Sequence, residues 1–242
     1  MTAATATRPG TAASTKRWRT VLVWLHVLTS FVWMSQALAL STVVGAAVVT
    51  ADADFRVAAM DVAVLLDNHL LAPFGNASAF TGFVLAAATP WGFFRHRWVL
   101  TKFVITVVQL NVGIFVLSSG LHRAQQVAAA GQPIGWWPSV AGGALMASAI
   151  AFQGWLSLAK PWGKTQWAAT RGPKKLPTAT TVVFVSSVAA VAVDLVLSQL
   201  AGFPFPLVEL VVLIWVLTRR ALTLRRATSG RSRELAAPTA MS

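Results

Sequence analysis

Four histidines carry the side-chain chemistry that is easiest to interpret in this chain: His26, His69, His96 and His122. Two imidazoles from different helices can supply both axial ligands of a haem iron, and two such pairs would make an electron path across a membrane. If the chain binds a cofactor, we predict haem b held by His69 and His122 near the outer face, and a second haem could be held by His26 and His96. The outer pair could alternatively hold Cu or Zn, and histidines at membrane interfaces also occur without a cofactor.

Two acidic residues, Asp194 and Glu209, lie within apolar segments near the end of the chain. Exposing an ionisable residue to lipid is costly, so these acids are candidates for a proton relay or an interhelical site. A structural role explains them equally simply, with Glu209 at the interface beside Pro206 and Asp194 solvated or hydrogen-bonded by Ser198 one turn on. The sequence favours the structural role.

The chain has no cysteine, which excludes disulfides, thiolate metal sites and cysteine nucleophiles. No arrangement of nucleophile, base and orienting residue can be identified either. We therefore predict no catalytic residues and a protein that is not an enzyme.

The composition is that of a membrane protein. Of the 242 residues, 56% are hydrophobic and only 11% are charged, and the mean hydropathy is +0.65, well outside the range of soluble domains. The net charge of +13 comes from short basic clusters between long apolar runs, which is a pattern of membrane topology. We therefore expect the lipid bilayer, and not nucleic acid, to be the partner.

The apolar runs predict an all-α transmembrane bundle of about six spans. They cover 21–49, 74–89, 99–120, 140–159, 180–200 and 207–218. With both termini in the cytoplasm, only Arg56 and Arg123 of the 20 Lys and Arg residues fall outside, as the positive-inside rule requires. We expect this bundle in a bacterial plasma membrane, with the sixth run either spanning or re-entrant because it is short.

These runs divide the chain into five parts. Residues 1–19 form a disordered basic tail, 20–165 a four-helix membrane core with an outer-surface helix near 57–71, and 166–179 a basic cytoplasmic linker. A C-terminal transmembrane hairpin at 180–218 and a basic cytoplasmic tail at 219–242 follow.

Helical periodicity predicts how the core helices pack. Small residues recur every four positions in the second and fourth spans, as Ser78, Gly82 and Ala86 and as Gly143, Ala147 and Ala151, and such faces favour close helix packing. The third span has two opposite polar stripes. The first contains Lys102, Thr106, Gln109, Gly113 and Gly120, and the second contains Asn111, Ser118 and His122. We therefore expect the third span at the centre of the bundle.

Four features carry a family resemblance: WLHVL at 24–28, Trp33, TG at 81–82 and TPWGFFRHRWVLTK at 89–102. They resemble an uncharacterised actinobacterial integral-membrane family that is distantly similar to the copper-resistance D proteins. The resemblance covers about Thr20 to Thr165 and implies metal or haem involvement near His26.

Three functions are compatible with the sequence. The first, which the sequence favours over the other two, is a structural or accessory membrane protein whose small-residue faces pack together or against a membrane-protein partner or a second copy. The second is a bis-histidine haem or electron-transfer protein. The third is a transporter or ion-handling protein that uses Asp194 and Glu209.

Overall fold

The computed structural model describes residues 9–135, 137–170 and 176–236, and these residues are helical without a β-strand. The α-helices are α1 Pro9–Val49, α2 Ala53–Leu66, α3 Ala72–Ala88, α4 Arg97–Val112, α5 Ser119–Ala129, α6 Trp137–Ala159, α7 Gln166–Thr170, α8 Thr181–Ala201 and α9 Leu207–Ala236. Two π-helical turns interrupt longer helices. The first, Asp67–Leu71, joins α2 to α3, and the second, Gly113–Ser118, joins α4 to α5.

Five helical segments among the described residues are long and apolar enough to cross a membrane. They are Ala12–Val49, Ala53–Ala88, Arg97–Ala129, Trp137–Ala159 and Thr181–Ala201. This confirms the all-α, multi-pass character of the chain. The first three segments contain 38, 36 and 33 residues, and at about 1.5 Å per residue they are roughly 50–57 Å long. They therefore extend well beyond a hydrocarbon core that is about 30 Å thick.

The parts of these segments that extend beyond the hydrocarbon core form an apolar cluster at one end of the bundle. The end of α1, α2 and α5 pack there around Val44, Ala47, Met60, Leu121 and Ala128. Asp52 begins α2 by accepting hydrogen bonds from the backbone N–H groups of Asp54 and Phe55, which satisfies donors that the first helical turn leaves unpaired.

The second membrane segment is one rod that bulges in the middle. Where the sequence suggests a separate outer-surface helix near 57–71, the structure continues from α2 through the first π-helical turn into α3. Pro73 explains the bulge, because proline has no N–H to offer the carbonyl four residues earlier. That carbonyl belongs to His69, and it accepts a 2.7 Å hydrogen bond from Gln199 Nε2 of α8 instead.

The centre of the bundle is α1, not the third span. α1 packs against α2, α3, α6 and α8, and the small-residue faces are used there. The Gly82 position of α3 lies against the His26 imidazole, and a Cβ on Gly143 of α6 would lie 2.8 Å from the Ala37 carbonyl oxygen. The expectation that the third span is central is wrong, because only 11% of its apolar window is buried. Lipid leaves no hydrophobic signal that separates a core helix from a peripheral one.

The basic clusters meet at the other end of the bundle. The turns after α3 and α6, which share the sequence Pro-Trp-Gly, are joined by an antiparallel bridge between His96 and Lys164. The Thr165 hydroxyl also donates to the Phe94 carbonyl at 2.7 Å. The open end of the α8–α9 hairpin lies at the same level, because the N–H of Ala179, just before α8, donates to the Ala88 carbonyl at 2.8 Å.

The terminal and linker segments differ in part from the expected division. α1 begins at Pro9, so residues 9–19 are helical rather than a disordered tail, and α9 continues through the basic tail to Ala236. The linker includes the short helix α7. Residues 1–8 and 237–242 of the two tails and residues 171–175 of the linker lie outside the described part of the chain.

Candidate functional site

A small cavity lies where the two π-helical turns face α1 and α6. Its volume is about 40 Å³, which is enough for up to about three water molecules. Its lining is mostly apolar, and its polar side chains are Asp67, Ser118 and Ser139. Both π-helical turns contribute to it, and π-bulges in α-helices are frequent at functional sites.

Asp67 is the ionisable side chain among the residues that line this cavity. The residue is 4% exposed, and its Oδ2 accepts a 2.7 Å hydrogen bond from the Ser118 hydroxyl. This bond joins the first π-helical turn to the second. An ionised carboxylate is costly in such an apolar site unless charge or hydrogen bonds compensate it. The Ser118 hydroxyl and the neighbouring His122 compensate this cost only in part.

Ser139, at the start of α6, supplies a second hydroxyl to the cavity. Its Oγ is buried and has no hydrogen-bond partner among the described residues. An unsatisfied buried hydroxyl costs about 1–3 kcal/mol. The cavity therefore holds a carboxyl group and an unpaired hydroxyl, which together suit a water molecule or an exchanging proton.

A ladder of hydrogen bonds runs from this cavity along the interface between α4 and α6. Its members are Lys102, Thr106, Gln109, Met146, Gln153 and Ser157. At its centre Gln153 Nε2 donates to Gln109 Oε1 at 2.6 Å, and the Thr106 hydroxyl donates to Gln153 Oε1 at 2.9 Å. At the basic end Lys102 Nζ donates to the Ser157 hydroxyl at 2.7 Å.

This ladder accounts for the first polar stripe of the third span. Gln109 reaches the Met146 carbonyl at 3.0 Å, and Met146 and Gly113 both line the cavity. Interhelical hydrogen bonds of this kind hold membrane helices together where no hydrophobic force does. The ladder thus fixes α4 to α6 and sets the position of the second π-helical turn.

His69 and His122 lie near this cavity but are not joined by any contact among the described residues. His122 Nδ1 donates to the Ser118 carbonyl at 2.9 Å. His69 follows Asp67 by two residues, so its side chain leaves the helix on roughly the opposite side from the cavity. The haem pair therefore remains a prediction.

His26 and His96 belong to different layers of the fold. His26 Nδ1 lies 3.1 Å from the Ser78 carbonyl and 3.0 Å from the Thr81 hydroxyl, between α1 and α3. His96 precedes α4, and its Nδ1 donates to the Trp91 carbonyl at 3.0 Å. Among the described residues no group of three His, Cys, Asp or Glu side chains could hold a metal ion.

Asp194 and Glu209 lie together between α3, α8 and α9. Asp194 accepts hydrogen bonds from the backbone N–H groups of Val208 at 3.2 Å and Glu209 at 2.7 Å. It therefore caps the N-terminus of α9 from the neighbouring helix. Ser198 bonds the Phe205 N–H at 3.0 Å rather than Asp194. Glu209 is 3% exposed and lines the same small pocket as Asn76 and Pro73.

Three polar residues of these sites do not stand out in the sequence as site residues: Asp67, Ser139 and Gln153. Asp67 is a charged residue six positions before Pro73, in a largely apolar stretch that also contains Asp61, Asn68 and His69. A proline-induced bulge beside an acid is the signal that points to it. Gln153 lies four residues before Ser157 in an apolar span, and this spacing indicates one helix face.

Comparison with protein-family models, curated proteins and solved structures finds no match to this chain.

Proposed function

We propose that this chain is a proton-handling integral membrane protein in which Asp67 takes up and releases the proton. The observation that carries this proposal is the buried Asp67 carboxyl, which faces a small cavity and is held there by Ser118. Ionisable residues inside membrane proteins mark ion pathways and proton relays more often than structural positions.

The chemistry of the cavity favours a proton over a metal ion. A Ca²⁺ or Mg²⁺ ion takes about six or more oxygen ligands, whereas this lining is mostly apolar and offers three polar side chains. A proton needs only the carboxyl group. When the Asp67 carboxylate binds a proton it becomes a neutral acid with an O–H donor, so the bond to Ser118 changes and with it the link between the two π-helical turns.

The hypothesis of a structural or accessory protein, which the sequence favours, has less support from the structure than proton handling. It depends on the two small-residue faces, and Gly82 and Gly143 of these faces already lie against α1 within the chain. The haem hypothesis requires His69 and His122 to bind the same iron, and no contact among the described residues favours this. The resemblance to the family near the copper-resistance D proteins is likewise an expectation without further support.

We infer a topology of six spans in a bacterial plasma membrane, with both termini cytoplasmic. α9 supports the sixth span, because it packs along α8 and α3 from Asp194 to the level of Pro177, whose carbonyl accepts from Arg220 at 2.7 Å. The basic end then faces the cytoplasm. A cysteine introduced at Thr165 is expected to resist an impermeant thiol reagent applied to intact cells, and reaction there would overturn the orientation.

The experiment that tests Asp67 is labelling with a hydrophobic carbodiimide, which reacts with protonated carboxyl groups in apolar surroundings. We expect the reagent to modify Asp67 in membranes, and the modification to decrease as pH rises. Peptide mass spectrometry locates the adduct, with Asp67→Asn as the blank.

The internal control for this labelling is Asp61, which is exposed on the same rod, with Gln125 Nε2 donating to it at 2.8 Å. Asp61 should stay unmodified because its carboxylate is solvated. Equal labelling of both residues, or none at Asp67 at any pH, would remove the basis for proton handling.

A further inference from the structure

The candidate span that contains α4 has the smallest buried share of the five candidate spans. Only 11% of the apolar window of Arg97–Ala129 is buried, compared with 61% for Ala53–Ala88. The side that carries Gln109 packs on α6 through the polar ladder. The opposite side has no partner among the described residues, and its exposed residues are Val104, Val107, Val108, Asn111 and Phe115.

Asn111 is the exception on this otherwise apolar surface. Its Nδ2 donates to the Val107 carbonyl of its own helix at 2.8 Å, which uses one of its two N–H donors. The second N–H and the carbonyl oxygen have no partner among the described residues. Polar side chains in membrane segments almost always face protein or water, so this surface calls for a protein partner.

Asn111 lies deep in the membrane, so its unpaired amide groups need a protein partner. Asn111 follows Trp98 by 13 residues, or roughly 20 Å of helical rise. Trp98 lies beside the basic turn and is typical of the membrane boundary. With a hydrocarbon core about 30 Å thick, Asn111 lies inside the core, where no water is available to satisfy it.

We propose that α4 forms a symmetric dimer interface with a second copy of this chain, centred on Asn111. Two copies insert in the membrane in the same orientation, so a two-fold axis along the membrane normal brings this surface against itself. An asparagine amide is both a donor and an acceptor. The free N–H of each Asn111 therefore donates to the carbonyl oxygen of the other, and both groups are satisfied.

The residues around Asn111 suit this packing. Val104, Val107 and Val108 are β-branched and hold one preferred rotamer in a helix, so they lose little freedom when a second helix covers them. A single asparagine within an apolar seam is a known way to fix helix register and oligomeric state. The interface is separate from the Asp67 cavity, because Ser118, which bonds Asp67, lies at the far end of the second π-helical turn from Asn111.

The test is disulfide cross-linking in native membranes, which is clean because the chain has no cysteine. We expect Val104→Cys and Val108→Cys, which keep the Asn111 amide, to form a species of twice the chain mass on mild oxidation. The matched control is Leu158→Cys on α6, which is 87% exposed but lies away from α4's outward face. Cross-linking of all three to the same extent, or of Leu158→Cys alone, would overturn the proposal.

A second variant tests the amide itself. Asn111→Val is expected to weaken dimerisation about tenfold, since two interhelical hydrogen bonds are lost. Val108→Cys in the Asn111→Val background reads this directly as less cross-linked product, and size-exclusion chromatography in detergent shows that the monomer stays folded. Unchanged cross-linking in that background, or a cross-linked product whose mass is not twice that of the chain, contradicts the proposal.

Discussion

Replacing Gly143 by leucine is expected to destabilise the protein strongly, because this position has no room for a side chain. A Cβ there would lie 2.8 Å from the Ala37 carbonyl oxygen and 3.0 Å from Ser41 Cβ. Backbone cannot move aside as a flexible side chain can. At this contact between α1 and α6, the Ser41 hydroxyl also donates a 2.7 Å hydrogen bond to the Val140 carbonyl. We expect a loss of about 1–3 kcal/mol in the free energy of unfolding.

The measurement is reversible unfolding in mixed detergent micelles followed by circular dichroism. Gly154→Leu is the matched control, since Gly154 lies on the same helix and has open space beside it. Because the two variants carry the same added side chain, they differ only in what surrounds it. A Gly143→Leu variant as stable as Gly154→Leu would mean that α6 does not pack on α1 at this point.

Replacing Asp194 by alanine is expected to loosen the α8–α9 hairpin. The change leaves the N–H groups of Val208 and Glu209 without their acceptor, and each unpaired buried group costs about 1–3 kcal/mol. It also removes an anion from the N-terminus of α9, where the helix dipole favours negative charge. We expect a total loss of roughly 2–4 kcal/mol.

Asp194→Asn is the comparison that separates capping from charge. Its remaining carbonyl oxygen can still accept one N–H, so its stability should fall between wild type and Asp194→Ala. Limited proteolysis near Gly202 adds a local readout, since a hairpin that has lost its cap opens there first. Equal stability of wild type and Asp194→Ala would show that the acid has a role other than capping.

The sequence predicts the membrane helices well because long apolar runs have few alternative structures. The runs at 140–159 and 180–200 correspond closely to α6 and α8. Packing order is harder to predict. The stripe that contains Gln109 does face α6. On the second stripe Asn111 is exposed whereas Ser118 bonds Asp67, because the π-helical turn between them breaks the helical period. A helical period alone also cannot tell a protein neighbour from a lipid one.

The cavity is less predictable than the helices because it depends on two local departures from helical geometry. Pro73 marks the first π-helical turn in the sequence, whereas Gly113 marks the second only weakly. Asp67 gains its significance from Ser118, which is 51 residues away in the chain. The histidines, in contrast, attract attention by residue type alone, and spacing cannot show whether they converge.

Infrared difference spectroscopy tests the central claim most directly, because the C=O stretch of a protonated carboxyl group absorbs apart from that of a carboxylate. In reconstituted wild-type protein we predict a carboxylic-acid band that grows on acidification. Asp67→Asn should lose the Asp67 component of this band, and Glu209→Gln, which changes a second buried acid, should retain that component. A band that persists unchanged in Asp67→Asn, or that is missing from the wild type at every pH, would contradict proton exchange at Asp67.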